Sequence, residues 1–132
     1  MRVRVLLPER LLLQMDADRV IAESLEGSFC LEPRHVDIAA PLVPGIVSLV
    51  RDDGERLLAT AEGVLVKLGQ EVLISVRDAV TDAPLGRMRA AIEQRTRDRR
   101  TREEAVRLAA ERLETALVRR FAELREPPGV VR

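Results

Sequence analysis

The chain is poor in cysteine, histidine and aromatic residues. Its 132 residues include one cysteine, one histidine, two phenylalanines, and no tryptophan or tyrosine. A single cysteine excludes an internal disulfide, which agrees with a reducing compartment. One cysteine and one histidine would have to borrow scattered carboxylates to complete a zinc site. We therefore expect no metal site and no cofactor.

Long apolar segments are also missing. No apolar run approaches the roughly 18 residues that a transmembrane helix needs. The amino terminus, MRVRVLLPER, is interrupted by Pro8 and Glu9 too soon for a signal peptide. These features predict a cytoplasmic protein without a membrane span.

The net charge is zero, but the charges are unevenly distributed along the chain. Residues 1–84 carry 9 basic and 14 acidic side chains, a net charge of −5, whereas residues 85–132 carry 13 basic and 8 acidic side chains, a net charge of +5. This asymmetry predicts two domains, one over residues 1–84 and one over residues 85–132.

The first of these regions has the patterns of β-strands. Val3, Val5 and Leu7 alternate with arginines until a proline ends the run. A second alternating run, residues 46–51, leads into a tight turn in which Asp53 and Gly54 supply the positive φ of a hairpin. Three more short runs follow: LLATAEG, VLVKLGQ and EVLISVRDAV. Short strands at this spacing predict a β-sandwich or a barrel.

The second region changes to a helical period. Pro84 stands near the expected helix start, and Leu85, Met88 and Ile92 follow at helical spacing. The next stretch, EQRTRDRRTREE over residues 93–104, contains no aliphatic or aromatic side chain. We interpret it as an arginine-rich turn that ends the first helix.

A second helix is predicted to begin inside this stretch, because Thr101 and Glu104 fit a capping box. An apolar stripe then runs at steps of four and three until Pro127 and Pro128; its members are Val106, Ala110, Leu113, Leu117, Phe121 and Leu124. These patterns predict fold class α+β, an N-terminal β-sandwich or barrel followed by a C-terminal antiparallel α-helical hairpin.

The only cysteine and the only histidine lie five residues apart in GSFCLEPRHVD, residues 27–37. A cysteine nucleophile needs a nearby base, and this is the one pair in the chain that could provide it. Cys30 also fits an alternation with Phe29 and Leu31, and could pack inside the sandwich as a small apolar residue. We favour an inert or packing role for Cys30. For His35 we favour a loop position with its ring bonded to the main chain, or a contact with a partner, over catalysis.

The same segment contains the glycines and prolines of a shaped connection, which is typical of a docking surface. It resembles the signature of ε subunits of F-type rotary ATP synthases, a Gly-x-x-Gly-aliphatic-x-Pro-x-His segment followed by x-Leu-x-Pro-Gly-aliphatic. The matching residues are Gly27, Leu31, Pro33 and His35, then Leu42, Pro44, Gly45 and Ile46. Downstream, GVLV at residues 63–66 and VLI at residues 72–74 resemble the family's Gly-Gly-aliphatic strand pair. The segment SFCLEPRHVD has Cys30 and Asp37 where many members have glycine and proline. In this it is most similar to the alternate, N-type branch of these ATPases.

The resemblance implies an N-terminal β-sandwich followed by the helical hairpin. It also implies a non-catalytic subunit of the central stalk, peripheral to the membrane as part of the complex. Its partners would be the γ subunit, the membrane-embedded c-ring and, through the hairpin, the α/β catalytic head, where the hairpin would regulate ATP hydrolysis. Glu32 and Arg34 would make polar contacts with the ring. The family's ring-facing loop maps onto Gly27, Ser28, Phe29, Cys30, Leu31, Glu32, Pro33, Arg34 and His35.

Some bacterial members bind ATP through an Ile/Leu-Asp-x-x-Arg-Ala motif where the hairpin begins. Leu85, Arg89 and Ala90 match this motif, but Gly86 replaces the aspartate. Arg89 is therefore a weak candidate for a phosphate contact, and its alternative role is that of a surface helix residue.

Three other classes of function stay open at this stage. A generic docking adaptor with a helical hairpin would show the same patterns. A nucleic-acid-binding module could use the arginine-rich turn but would lack aromatic stacking platforms, so we expect no nucleic-acid partner. A small Cys/His hydrolase would require Cys30 to be reactive.

Overall fold

The structure is a computed structural model that describes residues 1–125. The predicted helix stop at Pro127 and Pro128 lies outside the described residues. The chain divides into two compact units, Met1–Thr96 and Arg97–Arg132. The domain boundary predicted after residue 84 stays a prediction.

Ten strands and one helix make up the described residues. The strands of the first sheet are β1 (Arg2–Leu6), β2 (Leu11–Asp16), β5 (Ile38–Leu42), β8 (Gly63–Leu68) and β9 (Glu71–Val76). Those of the second sheet are β3 (Arg19–Ser24), β4 (Gly27–Leu31), β6 (Gly45–Arg51), β7 (Gly54–Thr60) and β10 (Ala79–Val80). The helix, α1, spans Leu85–Arg125.

The strand order is β2-β1-β9-β8-β5 in the first sheet and β10-β7-β6-β3-β4 in the second. Strands β1 and β9 pair in parallel, and the other pairs are antiparallel. Strands β4 and β5, which follow one another in the chain, are therefore edge strands of different sheets. The connection between them crosses from one sheet to the other.

The core between the sheets consists of aliphatic side chains that alternate along the strands, as the period-two patterns predict. The fully buried members from the two sheets include Val3, Val5, Leu65, Val72, Ile74, Val20, Ala22, Leu49 and Leu58. The predicted hairpin at residues 52–54 is confirmed, since Arg51 pairs with Gly54 and Gly54 has a φ of 144°. A positive φ suits glycine because it has no side chain to clash with the main chain.

The first three turns of α1 belong to the sandwich unit. Met88 and Ile92 are buried and form a small second core with Ala59 and Ala61. Arg95 adds a polar contact, because its Nη1 lies 3.1 Å from the Asp78 carboxylate. The helical spacing of Met88 and Ile92 therefore reflects burial of one helix face.

The predicted helical hairpin is wrong for the described residues, because α1 is unbroken from Leu85 to Arg125. The stretch 93–104 lacks apolar residues, but it also lacks glycine and proline, and arginine, glutamate and glutamine are good helix formers. Arg99 and Glu103, one turn apart, form an ion pair at 3.9 Å. Loss of the apolar stripe therefore marks the end of a buried face, and the helix continues.

The second apolar stripe is present on α1, and its large members are exposed. Val106, Leu113, Leu117, Phe121 and Leu124 have exposed fractions between 49% and 74%. Small and large apolar side chains in this part of the helix thus remain available for contacts with other molecules.

Replacing Thr101 by alanine tests whether α1 is continuous. Thr101 lies within the helix and does not begin one, so we expect unchanged or slightly higher helicity, because alanine is the better helix former. Loss of a true N-cap would instead cost about 1 kcal/mol. Far-UV circular dichroism during thermal unfolding distinguishes the two, and a drop in helical content would support the capping box.

Candidate functional site

The nine residues predicted to form a ring-facing loop fold as a strand and a turn. Residues 27–31 are strand β4, which pairs with β3 on one side and forms the edge of the second sheet. A loop was expected because glycine and proline flank the segment. Phe29 and Leu31 turn inward at period two, and their burial stabilises an extended strand there instead.

The alternation leaves a polar outer surface. Leu31 is fully buried, and Phe29, Pro33 and His35 are half-buried. The remaining members of the nine are exposed: Gly27, Ser28, Cys30, Glu32 and Arg34. We call residues 27–37 the docking edge, because they combine an unpaired strand edge with a shaped turn.

The docking edge extends over the length of the sandwich. Gly27 pairs with Ser24 at the β3–β4 turn, whereas Leu31 pairs with Val20 near the start of β3. The five residues of β4 span about 13 Å at the usual rise of a strand. Ser28 and Arg34 therefore lie toward opposite ends of the sandwich, which the linear sequence does not reveal.

Residues 32–37, which we call the edge turn, begin with a hydrogen-bonded β-turn. The His35 amide donates to the Glu32 carbonyl at 3.0 Å, and Pro33 occupies the second position, where its restricted φ is favourable. The His35 ring nitrogen Nδ1 lies 2.8 Å from the Val36 carbonyl oxygen. This contact confirms the prediction of a loop histidine bonded to the main chain.

The edge turn is tied to the β8–β9 turn by three side chains. The Lys67 ammonium donates to the carbonyls of His35 at 2.7 Å and Gly69 at 2.8 Å. The Gly69 amide donates to Asp37 Oδ1 at 2.8 Å, and the Gln70 side-chain amide donates to the Pro33 carbonyl at 3.3 Å. These bonds hold the connection between the two sheets against the β8–β9 turn of the first sheet.

Sequence reasoning missed Lys67, although a signal was available. Lys67 is the only lysine of the chain and follows Leu65 at period two in VLVKL. The pattern places its side chain on the buried face of β8, where it is 1% exposed. A lysine at an inward position of a strand predicts a specific hydrogen-bonding role.

The structure changes the interpretation of Cys30. Its side chain is exposed on the outer face of β4, so the predicted packing inside the sandwich is wrong. The reason is register, because Phe29 and Leu31 occupy the inward positions on either side. Within residues 1–125, no group of three or more His, Cys, Asp or Glu side chains could hold a metal ion.

Arg89, the candidate phosphate contact, lies exposed in the second turn of α1, and Gly86 is also exposed. Both residues belong to α1, so neither is part of the docking edge at residues 27–37. Among the described residues, no helix is both long and apolar enough to cross a membrane.

Comparison with known proteins places this architecture in a defined class. Residues 1–82 match the family model described as ATP synthase, Delta/Epsilon chain, beta-sandwich domain. The range covers all ten strands and ends just before α1.

Curated relatives specify the class further. The chain is 29% identical to the ATP synthase epsilon chain of Moorella thermoacetica over 126 residues, covering 95% of this chain and 94% of that protein. It is 33% identical to the epsilon chain of Thermobifida fusca over 102 residues, covering 73% and 74%. The chain belongs to the family of ATP synthase epsilon chains.

Solved structures share the fold. A chain of the Euglena gracilis mitochondrial ATP synthase, in a structure of OSCP, F1 and the c-ring, superimposes with a TM-score of 0.58 at 20% identity, covering 87% of this chain and 79% of that one. A chain from the Tetrahymena thermophila central stalk and c-ring gives 0.52 at 17% identity, covering 80% and 95%.

Proposed function

We propose that this chain is the non-catalytic epsilon subunit in the central stalk of a rotary ATP synthase. There it couples the rotor shaft and the c-ring to ATP synthesis or ion pumping. The family match over the whole sandwich carries the proposal. Its candidate site also suits docking, because it is an exposed sheet edge whose turn is braced by hydrogen bonds between side chains and main-chain groups.

The proposed partners are the γ subunit and the c-ring. Both similar structures come from ATP synthase assemblies that contain a c-ring. A chain bound in this way lies in the cytoplasm, peripheral to the membrane through the complex. The segment SFCLEPRHVD further favours the N-type branch of these enzymes, since Cys30 and Asp37 depart from the commoner glycine and proline.

The docking edge is the proposed contact with the ring. Its exposed charged side chains are Glu32, Arg34 and Asp37. Asp37 already accepts a hydrogen bond from the Gly69 amide, which leaves Glu32 and Arg34 of the edge turn as the candidates for contact with a partner. A charged hydrogen bond on a braced turn loses little conformational freedom on binding, so it contributes more to affinity than one on a mobile loop.

Reversing the charge at Arg34 tests this contact. We expect Arg34→Glu to weaken binding to detergent-solubilised c-ring about tenfold or more, the effect of losing a charge-assisted hydrogen bond. Arg10→Glu is the matched control, because Arg10 is exposed in the turn before β2, the opposite edge strand of the first sheet. Surface plasmon resonance measures both.

Ser28→Arg extends this test to the other end of β4. If Ser28→Arg weakens binding and Arg34→Glu does not, the ring contact is restricted to the β3–β4 turn. If neither variant changes the affinity, the docking edge does not face the ring.

Regulation of ATP hydrolysis is the proposed role of the second unit. The exposed stripe from Val106 to Leu124 and the arginines of α1 provide apolar and cationic surfaces for the α/β catalytic head. We propose Arg89 only as a secondary candidate for a phosphate contact. The family's ATP-binding motif has an aspartate at the position of Gly86, and glycine lacks that carboxylate.

A further inference from the structure

Lys67 is a charged residue at a buried position of the sandwich, where packing alone would favour an aliphatic side chain. It is the only lysine in the chain, and its side chain is 1% exposed, next to fully buried Leu65 on the inner face of β8. Burial of an ammonium group is costly unless its protons find acceptors. An aliphatic side chain would fill the same position at no such cost, so the charged head must serve another purpose.

The acceptors of Lys67 show what that purpose is. Its Nζ donates to the His35 carbonyl at 2.7 Å, and His35 lies 32 residues away in the edge turn. A second proton goes to the Gly69 carbonyl at 2.8 Å, in the turn that follows β8 itself. Lys67 thus joins two turns that are remote in sequence.

The contact is made at the point where the chain changes sheets. The edge turn leaves β4 of the second sheet and enters β5 of the first, whose Ile38 pairs with Lys67. Strand pairing fixes the chain from Ile38, where β5 begins. The hydrogen bond from Lys67 fixes it three residues earlier, at His35. The bond therefore orients Glu32, Pro33 and Arg34, which precede it.

We propose that Lys67 is a positioning residue that holds the edge turn in the conformation that docks. The inference rests on the proposed function of the docking edge. Lysine suits this role because its apolar stem packs against the core while its compact head donates up to three hydrogen bonds. Asp37 and Gln70 provide weaker ties between the same two turns.

Lys67→Met is the direct test, because methionine keeps the stem length and removes the donors. We expect the amide of His35 to exchange with deuterium at least about tenfold faster, since its turn is no longer held. If the docking conformation is then populated about a tenth of the time, affinity for solubilised c-ring falls about tenfold. Val47→Ala, a core variant of the second sheet, controls for general loss of stability.

Asp37→Ala keeps the test decisive if Lys67→Met fails to fold. Asp37 is exposed, and its loss removes the bond to the Gly69 amide without creating a buried cavity. We expect a smaller change in the same direction, about threefold in exchange and affinity, because the Asp37 carboxylate is exposed and solvent weakens its hydrogen bond.

The possible outcomes separate the inference from the function on which it rests. Faster exchange together with weaker binding, neither of them seen in Val47→Ala, supports positioning by Lys67. Unchanged exchange, or faster exchange with unchanged affinity, overturns it while the ring assignment stands. If the wild-type chain itself fails to bind the ring, the proposed function fails, and the docking role of Lys67 fails with it.

Discussion

Replacing Gly63 by alanine is expected to lower the free energy of unfolding by about 3 kcal/mol, the upper end of the usual cost of overpacking. Gly63 begins β8 and pairs with Val76 of β9 and Leu42 of β5. A Cβ at this position would overlap the Ser75 carbonyl oxygen and the Val76 main chain. Because these atoms belong to a paired strand, they cannot move aside without breaking sheet hydrogen bonds.

Urea unfolding followed by circular dichroism measures this effect. For a domain of this size, about 3 kcal/mol corresponds to a fall in melting temperature of roughly 12 to 24 °C. Gly86→Ala is the matched control, because a Cβ at Gly86 meets nothing within 4 Å and alanine favours helix. If Gly63→Ala lies within about 0.5 kcal/mol of wild type, the size of an ordinary surface substitution, the close approach at Gly63 is contradicted.

Truncation within α1 is expected to have the second large effect. A chain ending at Thr96 keeps Met88 and Ile92, which are 2% and 3% exposed in the small core with Ala59 and Ala61. A chain ending at Ala83 loses both. Because burial of each such side chain contributes about 1.5–3 kcal/mol, the shorter chain should be less stable by about 3–6 kcal/mol.

The two truncated chains can be compared by urea unfolding and by co-elution with the γ subunit of the same organism. The chain ending at Thr96 should unfold at a urea concentration close to that of the first unit in the full chain and should retain γ. Equal stability of the two chains would contradict a stabilising role for the first turns of α1. Failure of the full-length chain to bind γ would contradict the stalk assignment.

Local patterns predicted the parts of the fold that local physics controls. The alternation of Val3 and Val5 identified a half-buried strand, and Asp53 with Gly54 identified a hairpin turn. The spacing of Met88 and Ile92 identified a buried helix face. In each case, the period of burial is the same as the period of the local structure.

The turn over residues 93–104 was predicted wrongly, because the loss of apolar side chains there was taken to mark the end of a helix. It marks only the end of the helix face that Met88 and Ile92 bury. Residues 93–104 form helix without a buried apolar stripe, through intrinsic propensity and pairs such as Arg99 with Glu103. Thr101 has the residue type of a cap, but a cap forms only where the chain enters the helix from another conformation.

For the docking edge, too, some sequence-based predictions were correct and others were wrong. Pro33 and His35 were correctly expected in a turn, and the resemblance in this segment agrees with the family match. The single loop over residues 27–35 was not correct, because Phe29 and Leu31 stabilise β4 once β3 lies beside it. Whether Cys30 faces the core or solvent depends on that register, which a run of five residues does not specify.

The sequence by itself determined a strand-rich domain followed by helix, because alternation, turn chemistry and helical spacing are properties of neighbouring residues. It also determined the family, through the segment that begins at Gly27. Only the tertiary structure decided which residues support the docking edge. The bond from Lys67 to His35 joins residues 32 apart in the chain, and such a pair forms only when strand pairing brings β8 beside β5.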